Sequence, residues 1–374
     1  MNILLVNAEP LDRGHHPTYV GALHDKLISL GHDVAVVAPD DRLGHAPWQR
    51  RVGSTARTIR ASQRWLRHSV APVLRRRRID LVWETYADTI RFRMSRQYTQ
   101  LLRPTKLLVT VHSPRPLVNA RGTLAASQLQ RISNGRLRGL LGTTPAIVHT
   151  PRDIDELRRV SLAARALPWP VCDQAHNARP PGSRPRLLFV GEARRQKGLE
   201  VLIDALKSAR WEGEFRWVGG GPDAHHVLVV QLGASIDWSV RPEELSSNEL
   251  AFEYRHTDIV ALPYRAQFAA RGGASSILLE ALSHGRVVVA TQHAIGTLRC
   301  TPAGTFAADG DDAASIARCL RGLVADWRTH LEAAVDAGPR YVQQHGHSYG
   351  RYVRAALTMA AMGRDERRGA RALS

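Results

Sequence analysis

From Leu262 the chain reads Leu-Pro-Tyr, and from Gly272 it continues Gly-Gly-Ala-Ser-Ser-Ile-Leu-Leu-Glu280-Ala-Leu-Ser-His-Gly285-Arg-Val-Val-Val-Ala290. Few folds accommodate this order. An apolar run ends at Pro263, small residues follow, a helix comes next, and Gly285 stops it before the β-branched run Val287 to Val289. A loop that opens a helix aims unpaired backbone N–H groups and a positive dipole end at an anion, and a diphosphate suits that geometry.

The same alternation runs through the chain. Strand-like Ile3–Val6, a helix over Thr18–Leu30 and strand-like Asp33–Ala38 follow βαβ grammar, and Asp80–Glu84, Lys106–His112 and Ala146–Thr150 add further strands. Around residues 168–185, the segment Asn177-Ala-Arg-Pro-Pro-Gly-Ser-Arg-Pro is too proline-rich for an element interior and reads as a linker. A second unit restarts at Arg186, with strands Leu187–Gly191, Glu214–Gly219, Ser235–Trp238, Ile259–Pro263 and Val287–Thr291. The expected division is an N-terminal domain over 1–175, a second over 186–340, and a helical tail over 341–374. In that tail Tyr341–Met362 forms one helix, and Arg364–Ser374 is a polar end.

A chain of 374 residues supplies two ordinary cores. Cys172, Cys300 and Cys319 are too few and too scattered for a disulfide framework or a cysteine metal site, which points to a reducing compartment. No run approaches the roughly 18 apolar residues that span a bilayer, and the apolar start at Met1 lacks the flanks of a signal peptide. The expected location is cytoplasmic, soluble or peripheral at the inner membrane face. The net charge of +18 is uneven: residues 1–180 hold 28 Lys/Arg against 13 Asp/Glu, and residues 181–374 hold 24 against 21. Arg57, Arg60, Arg64 and Arg67 share one helical face, Ile59, Leu66 and Val70 lie opposite, and Arg75 to Arg78 follow after Pro72. This basic helix is either a solvated face or a surface for anionic lipid, where each well-placed cation contributes about 1 kcal/mol.

The segment from Gly272 to Ala290 resembles the donor-binding helix of family 4 retaining glycosyltransferases, also called group 1, which have the GT-B architecture. The family motif is Glu-x7-Glu followed by Ala, a small residue and Gly; Glu280 matches the second Glu, and Gly272 stands in place of the first. The resemblance implies an α/β fold of two doubly wound Rossmann-like domains facing across a cleft, with a C-terminal helix crossing back to the first domain. It implies that Glu280 accepts hydrogen bonds from the ribose hydroxyls of a nucleotide, and that Ser275, Ser276 and Ile277, with Gly273, offer N–H groups to the distal phosphates. Gly191-Glu-Ala-Arg194-Arg-Gln-Lys197-Gly198 resembles the family's phosphate clamp, with Glu192 where an Arg is usual. Arg194 and Lys197 would then stabilise the leaving diphosphate, as cations beside a tight turn can.

In the first half, Asp12-Arg-Gly14-His15-His16-Pro17 resembles the family's glycine loop over the reaction centre. His15 and His16 would contact acceptor or phosphate; taken alone, they are exposed loop histidines. Leu107-Leu-Val-Thr-Val-His112 resembles the family's Thr-Val-His-Asp, with Ser113 for the Asp, and places His112 near the donor sugar at a strand's carboxyl edge, where open α/β sheets bind ligands. Gly219 begins a glycine turn that matches the family's second-domain turn.

Together these features imply a retaining, metal-independent hexosyltransferase-type enzyme. Its donor is a UDP-, GDP- or ADP-sugar, no cofactor is needed, and the acceptor is a glycan or a lipid-linked glycan of cell-surface polysaccharide or glycolipid synthesis. No metal site is expected, since the histidines lack His-x-x-x-His spacing and no Asp-x-Asp follows a strand. The alternatives are a sugar-nucleotide epimerase and a catalytically weak scaffold subunit. Nucleic acid is not an expected partner, because charge comes here without aromatic platforms or a reading helix.

Overall fold

The computed structural model describes residues 1–7, 16–38, 64–87, 100–102, 105–114, 124–171, 181–219, 224–232, 236–243, 245–270 and 274–362. They fall into two units, residues 1–168 with 349–374, and residues 169–348.

In the first unit the order is β1 (Asn2–Val6), α1 (His16–Ser29), β2 (Asp33–Val37), a π-turn (Leu66–Val70) running into α2 (Ala71–Arg76), β3 (Leu81–Glu84), β4 (Lys106–Val109), α3 (Leu124–Leu141), β5 (Ala146–Val148), α4 (Pro151–Arg158) and β6 (Ala164–Ala166). A parallel sheet runs β2-β1-β3-β4, and β5 pairs β6 in parallel. A bridge from Thr110 to Ile147 carries the ladder from the end of β4 to β5. Leu4, Val6, Val82, Val109 and Val148 fill the core, and the strands β1, β3 and β4 are buried on both faces because helices cover a parallel sheet on both sides. Trp65, Leu66 and Val70 are buried, while Arg64, Arg67 and Arg75 to Arg78 are exposed. This described part of the basic segment thus has the predicted two faces; Arg57 and Arg60 lie outside the described residues.

The second unit runs β7 (Arg186–Val190), a short 3₁₀ turn (Arg195–Lys197), α5 (Leu199–Ala209), β8 (Glu214–Val218), α6 (Ala224–Gln231), β9 (Asp237–Arg241), α7 (Ser247–Arg255), β10 (Ile259–Leu262), α8 (Ala266–Ala269), α9 (Ser276–Ser283), β11 (Val287–Thr291), α10 (Gln292–Ile295), β12 (Thr305–Ala308), α11 (Ala313–Val324) and α12 (Trp327–Gln344). Its six parallel strands are ordered β12-β11-β10-β7-β8-β9. Helix starts are capped as the sequence requires: Ser246 and Glu249 make a reciprocal capping box on α7, and Asp312 accepts from the Ser315 N–H at α11.

The starts of three strands are tied by one buried acid. Asp258, fully buried, accepts from Arg186 through Nε at 3.0 Å and Nη2 at 2.9 Å, and also from the Arg186 backbone N–H. Arg286, 2% exposed, donates to the carbonyls of His284 and Thr257. Burial pulls the Arg286 guanidinium down to about 10 while Asp258 opposes that fall.

The structure differs from the sequence reading at three places. Tyr341–Met362 is not one helix: α12 ends at Gln344, and α13 (Tyr349–Met362) starts after a turn at Gly346. Residues 345–348 instead hold the segment after Pro168, with the His347 carbonyl accepting from Val171 N–H at 2.7 Å and His347 Nδ1 donating to the Trp169 carbonyl at 2.8 Å. Trp169 and Val171 are therefore buried parts of the second unit, and the unit boundaries lie at 168/169 and 348/349 instead of near 175–186 and 341. β6 and β12, short edge strands with half-exposed residues, carry too weak an apolar signal to be predicted. Within the first unit α13 packs on α1, where the hydroxyls of Tyr19 and Tyr352 meet at 2.8 Å, and Lys106 Nζ donates to the Ala360 carbonyl.

Replacing Asp258 with Ala leaves the buried Arg286 without its counter-charge, and should destabilise the protein by about 3–5 kcal/mol in chemical denaturation. Arg340→Ala, which removes an exposed pair with Asp336, should change stability by less than about 0.5 kcal/mol. Equal effects of the two substitutions would contradict the clamp.

Candidate functional site

In the second unit the carboxyl ends of β7, β8 and β10 and the start of α9 bring the predicted residues together. Gly191 leaves β7 with φ +111°, where its N–H donates to the Val218 carbonyl at 2.7 Å, and a Cβ there would strike Lys197 Nζ. Gly198, at φ +69°, opens α5, and a Cβ would strike the Pro263 carbonyl at the end of β10. Both positions need glycine for conformation, and Gly198 needs it for space as well. Gly219 lies alongside: a Cβ on it would approach Gly191 Cα at 3.6 Å. The Arg265 N–H donates to the Gln196 carbonyl at 3.0 Å and ties the Lys197 turn to the loop after β10.

Lys197 is half-buried and points back along β7, with Nζ 3.4 Å from the Val190 carbonyl. Burial, then repulsion from Arg194, lowers its ammonium to about 8, against the attraction of Glu192 and Glu280. Glu280, also half-buried, is pushed up to about 7 by burial, and is held below a still higher value by Tyr254 and Lys197. Each keeps some surface, so the shifts reflect water removed around the charge and not complete enclosure. Cation and carboxylate lie close enough to act on each other, an arrangement suited to binding a group that is anionic at one end and hydroxylated at the other.

Ser275 caps α9 by accepting from the Leu278 N–H at 3.2 Å, and its hydroxyl lies 3.5 Å from that of buried Tyr264. The N–H groups of Ser276 and Ile277 precede the first intrahelical bond and belong to the positive end of the helix. Gly285 ends α9, its N–H donating to the Leu282 carbonyl. Arg194 is engaged by Glu192 at 2.5 Å, and both are about half-exposed. Gly272 and Gly273 lie outside the described residues.

Sequence reasoning missed Tyr254. Its hydroxyl donates to Glu280 Oε2 at 3.1 Å and its ring stacks on His284 at 5.0 Å. A tyrosine three residues before the buried Thr257-Asp258 turn was the available signal, since a buried phenol must find a partner.

The first unit arranges a separate cluster. His112 follows β4 and the Thr110 bridge; its Nε2 is 2.7 Å from the Thr85 carbonyl, which can only accept, so Nε2 carries the proton. The other nitrogen, Nδ1, lies 3.2 Å from His149 Nε2. Tyr86 stacks on the His112 ring at 5.1 Å, and Tyr19 meets it edge-on at 5.2 Å. Tyr352 of α13 stacks on both His149 and Trp83. His149 was legible in principle, because Ala146-Ile-Val-His149 repeats the pattern of an apolar strand ending in histidine. Gly14 and His15 lie outside the described residues; His16 begins α1, and its side chain lies outside them too. Among the described residues no cluster of three or more His, Cys, Asp or Glu could hold a metal ion, and no helix is long and apolar enough to cross a membrane.

Residues 184–326, which contain Lys197, Tyr254 and Glu280, match the family model of glycosyl transferases group 1. The fold of the whole chain is that of GT-B glycosyltransferases, with two Rossmann-like domains. It is similar to sucrose-phosphate synthase from Thermosynechococcus elongatus (TM-score 0.69, 15% identity, 100% of each chain covered). It is also similar to HepE from Anabaena, solved with UDP (TM-score 0.64, 12% identity, 96% of this chain and 100% of that one), and to the lipopolysaccharide outer core galactosyltransferase WaaB (TM-score 0.60, 12% identity, 97% and 99%). No curated protein matches the sequence.

The second unit stores an electrostatic cost at Glu280. Its folded carboxyl sits near 7 against an ordinary 4.5, so it contributes stability in full below about 4.5 and loses that stability as pH rises through 7. Glu280→Gln should therefore stabilise the ligand-free protein by about 1–3 kcal/mol at pH 8 and by less than about 1 kcal/mol at pH 5. Thermal unfolding at the two pH values checks this; equal shifts would contradict it.

Proposed function

We propose that the protein is a retaining, metal-independent glycosyltransferase that moves a hexose from a nucleotide-sugar donor to a glycan or lipid-linked acceptor. The observation that carries this reading is the grouping of Lys197, the start of α9 and Glu280 at the carboxyl ends of β7 and β10, inside the segment that matches the group 1 family. Glu280 binds the ribose hydroxyls, and Lys197 with the N–H groups of Ser276 and Ile277 binds the diphosphate. Arg194 joins them when Glu192 releases it. HepE structures carry UDP or UDP-glucose in the same fold, which supports a uridine nucleotide as the first donor to try. In the first unit His112 is fixed between Thr85 and His149. In the reaction the sugar's bond to the diphosphate breaks, the acceptor hydroxyl bonds the same face of the anomeric carbon, and the departing phosphate takes the hydroxyl proton. Lys197 and the α9 dipole stabilise the charge that develops on that phosphate.

Acceptor binding falls to the basic first unit. The exposed Arg64, Arg67 and Arg75 to Arg78, set over buried Trp65 and Leu66, suit an anionic lipid surface at the cytoplasmic face, and the similarity to WaaB supports a cell-surface glycan as acceptor. A second reading, a catalytically weak scaffold subunit, is motivated by the ion pair that keeps Arg194 on Glu192.

UDP, GDP or ADP, or the corresponding sugars, at about 100 times the dissociation constant should stabilise the protein by roughly 2.7 kcal/mol in thermal unfolding, and Glu280→Ala should abolish the shift. Affinity should fall below pH 7, where Glu280 takes up a proton, and above pH 8, where Lys197 loses one. No shift with any nucleotide would favour the scaffold. Vesicles containing phosphatidylglycerol should retain the protein in a salt-sensitive way, and charge reversal at Arg57, Arg60, Arg64 and Arg67 should release it; equal retention of both forms would remove the membrane surface from the proposal.

A further inference from the structure

We propose that Tyr254 is a positioning residue that turns Glu280 toward a vicinal diol, so that the site distinguishes ribonucleotides from 2′-deoxyribonucleotides. The inference rests on the donor-site reading above and adds to it a residue and a selectivity.

Three observations on α7 and α9 lead to it. Tyr254 is 1% exposed, and its hydroxyl donates to Oε2 of Glu280 at 3.1 Å. Its ring stacks on His284 with 24° between the planes, so one tyrosine grips both Glu280 and the residue that follows α9. A carboxylate held at one oxygen loses most of its rotational freedom, and Oε1 then has a fixed direction. Two neighbouring hydroxyls, both donors, are the ligand that a fixed acceptor pair reads best, and a sugar lacking one of them leaves an acceptor unpaired.

The contact also sets the charge of Glu280. Burial holds the Tyr254 phenol well above its usual range, so it stays a donor at every working pH. Three charged or titratable groups act on Glu280: Tyr254 from α7, Lys197 from the turn after β7, and Tyr264 from the end of β10. Tyr254 and Lys197 favour the carboxylate, against burial. Without the phenol hydroxyl the carboxyl is protonated over a wider pH range, and a protonated carboxyl offers a donor where the ligand needs an acceptor.

The test is binding of UDP, GDP and ADP and of their 2′-deoxy forms to wild type and Tyr254→Phe, as a function of pH. Phenylalanine keeps the ring and its stack on His284, and unfolding temperature without nucleotide confirms that the fold is retained. Wild type should prefer the ribonucleotide by roughly tenfold, and Tyr254→Phe should bring that preference close to one. The low-pH limb of binding, near 7 in wild type, should move up by about one unit, a loss of roughly tenfold at pH 6.5, while the high-pH limb set by Lys197 stays in place. In a Glu280→Gln background the low-pH limb should be absent with either residue at position 254, because no carboxyl remains to titrate. If wild type binds a nucleotide and Tyr254→Phe alters neither the ribose preference nor the limb, Tyr254 is a packing residue and the inference falls while the donor site stands. If no nucleotide binds wild type, both fall together.

Discussion

Asp258 is the constraint on which the second unit depends. Parallel strands share no hairpins, so their relative register has to be set by something other than a short turn. Here a single buried carboxylate accepts from the side chain and backbone of the residue that starts β7, sits directly before β10, and balances the guanidinium that precedes β11. Three central strands are therefore aligned at their amino ends. Because each has four or five residues, alignment at one end fixes where Gly191, Pro263 and Thr291 emerge at the other. The charges at the foot of the sheet and the loops at its head are two ends of one arrangement.

The sequence and the structure agree best where packing and chemistry impose the same residue. The run from Val287 to Val289, the stop at Gly285 and the turn at Gly198 were legible because few residue types suit a doubly covered strand or a positive φ against a neighbouring carbonyl. Pairings across the fold were not legible. Nothing local says that Tyr254 reaches Glu280 or that His149 meets His112, since each pair joins elements far apart in sequence. The break between α12 and α13 was missed for a related reason: both helices are amphipathic, and what ends the first is a tether from His347 to the chain at Trp169 and Val171, which helical periodicity does not register.

Glu192 shows how a departure from a motif changes the charges around it. By charge alone, an acid beside Arg194 and Lys197 weakens an anion-binding loop. In the structure it spends that charge on Arg194 and only partly offsets the desolvation of Lys197, whose ammonium remains depressed. The basic loop therefore contains one cation at rest on a neighbour and one facing a poorly solvated space.

The placement of α13 bears on the order in which the protein is completed during synthesis. The second unit is a continuous stretch that ends at Ser348, so all of its residues are available once that point has left the ribosome. The first unit, although made first, lacks Tyr352, Val353, Ala356 and Met359 until the last stretch of chain follows, and with them the hydroxyl that meets Tyr19 and the ring that stacks on His149. Whatever the first unit attains earlier, the framework around His112 closes last, so a chain released before α13 carries a finished second unit beside an unfinished first one.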